Sequence, residues 1–244
     1  HIKYAFETGS RLFATDSKAD LQSIADNAPG SKIFVRILVE GGETAEWPLS
    51  RKFGCHPDMA IDLLVTAKQL GLVPHGISFH VGSQQKDIAV WDAALSKVKY
   101  MFDWMKLEED IELKMINMGG GFPANYISEV NPINVYAEEI RRYLHDDYGD
   151  NLPEIILEPG RSLVGESGVL VSEVVLISRK SRTDLNRWVY LDVGLFQGLM
   201  ETMGESIKYP IYMEKLEGNP PTGTVVLAGP TCDSTDIMYE NSNY

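Results

Sequence analysis

Two hydrophobic rhythms divide the chain. Over its first two thirds, short and nearly continuous apolar runs alternate with stretches in which apolar residues recur every three or four positions. The runs are 11–15 (RLFAT), 33–39 (IFVRILV), 76–81 (GISFHV), 113–118 (LKMINM) and 154–157 (EIIL). They predict strands buried on both faces. Between them, residues 87–105 put Trp91, Leu95, Val98, Phe102 and Met105 on one face of a helix. A second helix is expected over 132–145, with Asn131 as N-cap and Pro132 at its first position. Ser17, ahead of Leu21 and Ile24, reads as another cap. Such an alternation predicts a parallel sheet with right-handed crossovers, in a (β/α) barrel or a doubly wound sheet.

Beyond residue 168 the rhythm changes. GVLVSEVVLISRK, RWVYLDV and TGTVVLAG read as strands with no helix between them, and EGNPPTG (217–223) reads as a loop. An α/β domain over 1–167 and a β-rich domain over 168–244 are therefore expected. Five βα-type strands fall short of the eight in a closed barrel of about 250 residues. Either the sheet is open or strands are missing on its N-terminal side.

Composition narrows the function. The 244 residues carry 22 Lys+Arg against 35 Asp+Glu, a net charge of −13. That balance argues against nucleic acid and anionic membrane surfaces as partners. The two cysteines, Cys55 and Cys232, form no CxxC pair, so neither a zinc ribbon nor a disulfide framework is expected, and no other metal site is read. A reducing cytoplasm fits this usage. No run approaches the roughly 20 apolar residues of a membrane span, and HIKYAFETGS has no signal-peptide h-region. The chain lacks an initiator Met, so its natural start is expected upstream.

The candidate chemistry lies where the strands end, as barrel architecture requires. The first strand runs into TDS (15–17), the third into HVGS (80–83), the fourth into GGGFP (119–123) and the fifth into EPGR (158–161). Each has a structural alternative. GGGFP serves a tight turn as well as a backbone cradle for phosphate. EPGR serves an ion pair as well as a split role, with Gly160 and Arg161 on an anion and Glu158 on a cation. His80 is either a satisfied core histidine or a ring that stacks on a planar ligand. Taken together they describe a ligand with a phosphate, a planar ring and a protonated nitrogen. Pyridoxal phosphate has all three, and it needs an acidic partner at its ring nitrogen to act as an electron sink.

The set HVGSQ, GGGFP, EPGR and GPTCDSTD (229–236), in that order and spacing, resembles the fold-type III pyridoxal-phosphate decarboxylases. The ornithine/lysine decarboxylase group is the nearest. PLSRKFG (48–54) resembles the family's LSxKFG segment, and the likeness runs along essentially the whole chain. GGGFP and GPTCD favour this group over the diaminopimelate decarboxylases, which usually carry Cys-Glu-Ser-Gly where this chain has Cys232-Asp233-Ser234.

The resemblance implies an alanine-racemase-like (β/α)8 barrel, here partial, followed by part of a β domain. It implies that His80 stacks on pyridoxal phosphate and that Ser83, Gly120, Gly121, Gly160 and Arg161 bind its phosphate. Glu158 would pair with the ring nitrogen, and Asp16 would lie near the lysine–cofactor linkage. Cys232 would protonate the α-carbon after carbon dioxide leaves. Asp233 would hold the distal amine of a diamino-acid substrate, with Glu205, in ETMGESIKYP (201–210), as a second carboxylate or a plain loop acid. In the family, Cys232 and Asp233 would act across a homodimer interface. The implied reaction is decarboxylation of L-ornithine to putrescine, or of L-lysine to cadaverine, in polyamine biosynthesis.

Two departures bear on this reading. The family's Schiff-base lysine, in a YAxKxNP-like segment, has no counterpart here, and Lys52 belongs to a motif the family keeps beside its own lysine. The chain therefore reads as an internal piece of a longer enzyme, expected to be inactive alone. Pro48 stands where eukaryotic members usually carry Arg, which suggests a bacterial-type member. Two other classes compete. A non-catalytic homologue acting as a regulatory partner, as antizyme inhibitors do, is disfavoured by retention of Glu158, Arg161, Cys232 and Asp233. A racemase on the same barrel is disfavoured by GPTCD.

Overall fold

A computed structural model describes residues 1–40, 44–48, 52–213, 218 and 222–241. Leu49, Ser50 and Arg51 of the LSxKFG-like segment, and most of the 217–223 loop, lie outside the described residues. The chain forms two compact units. One comprises His1–Pro123 and Val130–Leu163; the other comprises Ala124–Glu129 and the chain from Val164 onward. The short segment 124–129, which the sequence reading placed with the barrel, is grouped with the second unit.

The first unit is built on five parallel strands: β1 (Leu12–Thr15), β2 (Lys32–Arg36), β4 (Val73–Ser78), β6 (Met115–Asn117) and β7 (Glu154–Ile156). They lie in the order β1-β2-β4-β6-β7. A separate antiparallel pair, β3 (Ala45–Trp47) and β5 (Ser83–Gln85), was not foreseen, because three-residue strands carry too little periodicity to be read. Helices α1 (Ile2–Glu7), α2 (Lys18–Asn27), α3 (Pro57–Gln69), α4 (Ala89–Glu108), α5 (Ile133–Tyr148) and the short α6 (Arg161–Val164) complete the series. The structure is thus α/β with a parallel sheet. The inner strands β4 and β6 are the most deeply buried, and β2 buries Ile33 and Val35. β1 and β7, at the two edges of the sheet, stay partly exposed.

The helices form for the reasons their sequences suggest, with one correction. Ser17 caps α2 by accepting the Asp20 N–H. Trp91, Leu95, Val98, Phe102 and Met105 are all buried along α4. In α5, however, Pro132 is itself the N-cap and makes no side-chain bond, and Asn131 lies outside. Proline's fixed φ suits either the cap or the first turn, so composition alone does not separate the two registers.

Register decides where function can sit. Arg36 pairs with Ser78, Ser78 with Asn117, and Asn117 with Ile156. The C-terminal ends of four strands therefore lie in one row, and so do the segments that follow them.

The second unit holds a four-stranded sheet in the order β11-β10-β9-β8, from β8 (Val174–Ser178), β9 (Arg187–Leu191), β10 (Val225–Ala228) and β11 (Ile237–Tyr239). Its small core gathers Leu195, Val225, Leu227, Met238 and Tyr239. The strands are shorter than their apolar runs, and β8 is an exposed edge. No helix of the described residues is long and apolar enough to cross a membrane.

Candidate active site

The triple glycine follows β6 and is forced by close packing. A Cβ on Gly119 would stand 2.6 Å from the Phe79 carbonyl oxygen, and one on Gly120 would stand 2.6 Å from that of Glu158. One on Gly121 would collide with the Gly82 carbonyl. Gly119 and Gly121 also take φ of +63° and +96°, which favour glycine. The turn is thereby wedged between the ends of β4 and β7. Two bonds lock it: Gln85 N–H donates to the Gly121 carbonyl (2.8 Å), and Glu158 N–H to that of Gly119 (2.8 Å). Phe122 anchors its far side, stacked on Trp91 with ring centroids 5.1 Å apart.

Asn117, the last residue of β6, went unnoticed in the sequence. It is buried, and its amide is held in one orientation. Gly119 N–H donates to Oδ1 (2.8 Å), so Nδ2 is left to donate to Glu158 Oε1 (3.0 Å). Its place two residues before a glycine run, at a strand end, was the available signal. Gln85 is a second buried polar residue that was missed. Its Oε1 accepts from Asp87 N–H (3.0 Å) and Thr44 Oγ1 (3.1 Å), and its Nε2 donates to the Val81 carbonyl (3.2 Å). Between Ser83 and Gln85, Gln84 takes a φ of +56°, a strained position for a non-glycine residue.

His80 is half-buried beside this turn. Its Nδ1 accepts the Gly82 N–H (3.0 Å), which assigns the neutral ring's proton to Nε2. Burial, reinforced by the nearby Arg36 cation and opposed by Glu158, lowers its pKa, so the ring is neutral at pH 7. Arg161 opens α6 and turns its Nη2 and Nε toward Ser83 Oγ, at 3.0 and 3.3 Å. Asp16, after β1, accepts the Gly54 N–H (2.7 Å) and so joins TDS to KFG.

Of the sequence-selected residues in this unit, His80, Gly120, Glu158, Ser83 and Arg161 are thus tied into one row of strand ends. Gly160 is exposed in the turn before α6. Among the described residues, no acceptor stands opposite the N–H of Gly120, which is buried, or that of Gly121. Buried backbone donors are rarely left unpaired. Two orphan N–H groups near a guanidinium–hydroxyl pair suit a phosphate, and a carboxylate fixed by an amide suits a protonated ring nitrogen. The residues present fit pyridoxal phosphate.

In the second unit, Cys232 and Asp233 are both exposed. Asp233 Oδ1 accepts from the Thr235 N–H (2.9 Å) and Oγ1 (2.8 Å), and these bonds lower its pKa and keep it ionised. Glu205 is differently placed. Its Oε1 accepts the Glu240 N–H (2.7 Å) and the Asn241 N–H, while Oε2 pairs with Lys208 (3.1 Å). Its oxygens are engaged in holding the 200–209 segment to the end of β11. Among the described residues, no group of three or more His, Cys, Asp or Glu side chains could hold a metal ion.

Comparison with known proteins places the chain in a family. Residues 1–165 match the model of the pyridoxal-dependent decarboxylase, pyridoxal binding domain. The lysine/ornithine decarboxylase of Selenomonas ruminantium is 31% identical over 242 residues, which cover 98% of this chain and 59% of that protein. The diaminopimelate decarboxylase of Staphylococcus aureus is 29% identical over 258 residues, covering 99% and 59%. The structure of the Vibrio vulnificus lysine/ornithine decarboxylase complexed with cadaverine superposes with a TM-score of 0.79 at 28% identity, covering all of this chain and 62% of the other. The chain spans about three fifths of the length of these relatives. From the match over its first 165 residues and the strand-end site within them, the chain belongs to the pyridoxal-dependent decarboxylases, and its cofactor is pyridoxal phosphate.

Proposed function

We propose that the intact protein decarboxylates a basic diamino acid, L-ornithine or L-lysine, yielding putrescine or cadaverine for polyamine biosynthesis. The observation that carries this reading is the row of strand ends in which Asn117 fixes Glu158, Ser83 meets Arg161, and the Gly120 and Gly121 N–H groups meet no acceptor among the described residues. When bound, pyridoxal phosphate supplies an electron sink for the bond pair left as carbon dioxide departs.

The chain's own residues do the rest. Arg161, Ser83, Gly160 and the glycine N–H groups neutralise and orient the phosphate. Glu158 keeps the ring nitrogen protonated, with Asn117 holding the carboxylate in place. His80, neutral and with its proton on Nε2, presents an uncharged ring for stacking. Asp16, held by the Gly54 N–H, would lie near the lysine that anchors the cofactor. Cys232 holds the proton destined for the α-carbon. Asp233, ionised, takes the distal ammonium of the substrate. The engaged oxygens of Glu205 favour a structural role for it over substrate binding. By the family resemblance, Cys232 and Asp233 would act across a homodimer interface, in active sites that two copies share.

The test uses the intact natural protein with pyridoxal phosphate and each of ornithine, lysine and diaminopimelate. Released carbon dioxide and the amine product are measured, and the modified lysine is mapped after borohydride reduction. Putrescine or cadaverine, with a labelled lysine outside residues 1–244, is the expected result. Release from diaminopimelate alone would reassign the substrate. No release from any of the three would sink the reading.

A further inference from the structure

The motif GPTCDSTD ends in a carboxylate that the reaction does not use. Asp236 is only 3% exposed. Its Oδ1 accepts the Leu195 N–H (2.8 Å). Its Oδ2 accepts both the Thr231 N–H (3.1 Å) and the Thr231 hydroxyl (2.7 Å). Its backbone closes the loop as well, with Asp236 N–H donating to the Asp233 carbonyl (3.1 Å) and Gly229 N–H donating to the Asp236 carbonyl (2.8 Å). Around this carboxylate the chain has no room for side chains. A Cβ on Gly229 would strike all three carboxyl atoms, and one on Gly194 would strike Oδ1 and stand 2.7 Å from Gly229 Cα.

A buried charge is tolerated only when it is densely hydrogen-bonded. Here the donors come from two separate stretches. Thr231 immediately precedes Cys232. Leu195 opens the turn whose Gly194 carbonyl accepts the Leu199 N–H, at the start of the 200–205 helical segment. One carboxylate therefore ties the loop carrying Cys232 and Asp233 to the segment leading into 201–210.

We infer that Asp236 is a positioning residue: its buried carboxylate holds the Cys232–Asp233 loop and the 194–199 turn as one body, so that the loop presents proton donor and ammonium acceptor in one fixed orientation. The inference rests on the proposed roles of Cys232 and Asp233. The Asp236 cage itself needs no ligand.

The experiment uses the intact natural protein loaded with pyridoxal phosphate, and the variants Asp236→Asn, Thr231→Val and Thr231→Ser. An amide at 236 turns one donor toward donors. The Leu195 and Thr231 backbone amides are then expected to exchange with solvent about tenfold faster together, while Ile77 in the five-stranded sheet is unchanged. Turnover is expected to fall about tenfold in Asp236→Asn, yet by less than about twofold when the same change is made in Cys232→Ser, because both act through one group. Thr231→Ser, which keeps the hydroxyl, should behave as the parent where Thr231→Val does not. That pair carries the comparison if Asp236→Asn does not fold. Unchanged exchange at Leu195 and Thr231 overturns the inference, and so does a loss of turnover that simply multiplies with that of Cys232→Ser. If no diamino acid is decarboxylated by the parent, the functional reading has failed, and the exchange data alone decide on Asp236.

Discussion

The glycine turn after β6 and the GPTCD loop solve the same problem with different materials. Each presents reactive groups from a support that side chains cannot invade. In the turn, the space that a Cβ would need at Gly120 is taken by a backbone carbonyl, and the polar support, Asn117, is neutral. In the loop, the space at Gly229 is taken by the carboxylate of Asp236, and the support is itself charged. A backbone wall cannot be mutated away; a side-chain wall can. The first region is thus fixed by the topology of the sheet, and the second by one residue.

The largest effect should break the first region. Gly120→Ala forces a Cβ against the Glu158 carbonyl, an overpacking cost of about 1–3 kcal/mol that no side-chain change relieves. Pyridoxal phosphate affinity should fall about a hundredfold, read by absorbance titration of the intact protein. Retained affinity would mean that the turn does not hold the phosphate.

The two thiols should differ by nearly as much. Cys55, half-buried behind β2, is pushed up to about 11, chiefly by burial and secondarily by the Asp16 charge. Because the thiolate is the nucleophile, Cys55 should alkylate about a hundredfold more slowly than free cysteine near pH 8. Exposed Cys232 should label first, as followed by peptide mass spectrometry.

The second region should show relief where the first cannot. Gly229→Ala alone is expected to cost about 2 kcal/mol in denaturant unfolding. Added to Asp236→Ala, it should cost under about 0.5 kcal/mol, because the atoms it strikes are gone. Equal costs in both backgrounds would place the obstruction elsewhere.

The smallest effect tests the opposite end of the sheet. His75 is buried in β4, beside Glu154 at 3.6 Å. Burial first, and then the Lys32 charge, lower its pKa against the partial opposition of Glu154. As pH falls below about 6.5, the unfolded chain takes up a proton that the native chain resists, so stability present at neutral pH is lost. His80 shifts in the same direction. His75→Gln should therefore flatten the fall in Tm between pH 7 and 5 without abolishing it, and cofactor binding should be unaffected.

Much of this was legible without coordinates. The alternation of apolar runs and three-four periodicity reflects burial, and burial is local enough in sequence to predict the five strands, α4, and the cap of α2 at Ser17. The strand-end motifs were visible for the same reason, since polar residues that interrupt an apolar run mark where a buried strand surfaces. Register was not legible. It took the sheet to set Arg36, Ser78, Asn117 and Ile156 in one row, to show that Asn117 faces Glu158 across 41 positions, and to pair Ser83 with Arg161 across 78. Nor could the sequence separate three acids of similar appearance. Asp233 is exposed and ionised, Glu205 is consumed by backbone donors and Lys208, and Asp236 is caged. Composition determines which groups exist, and periodicity which faces they occupy. Which group meets which depends on long-range packing, where a single close approach, such as a glycine against a carbonyl, decides between a flexible turn and a fixed site.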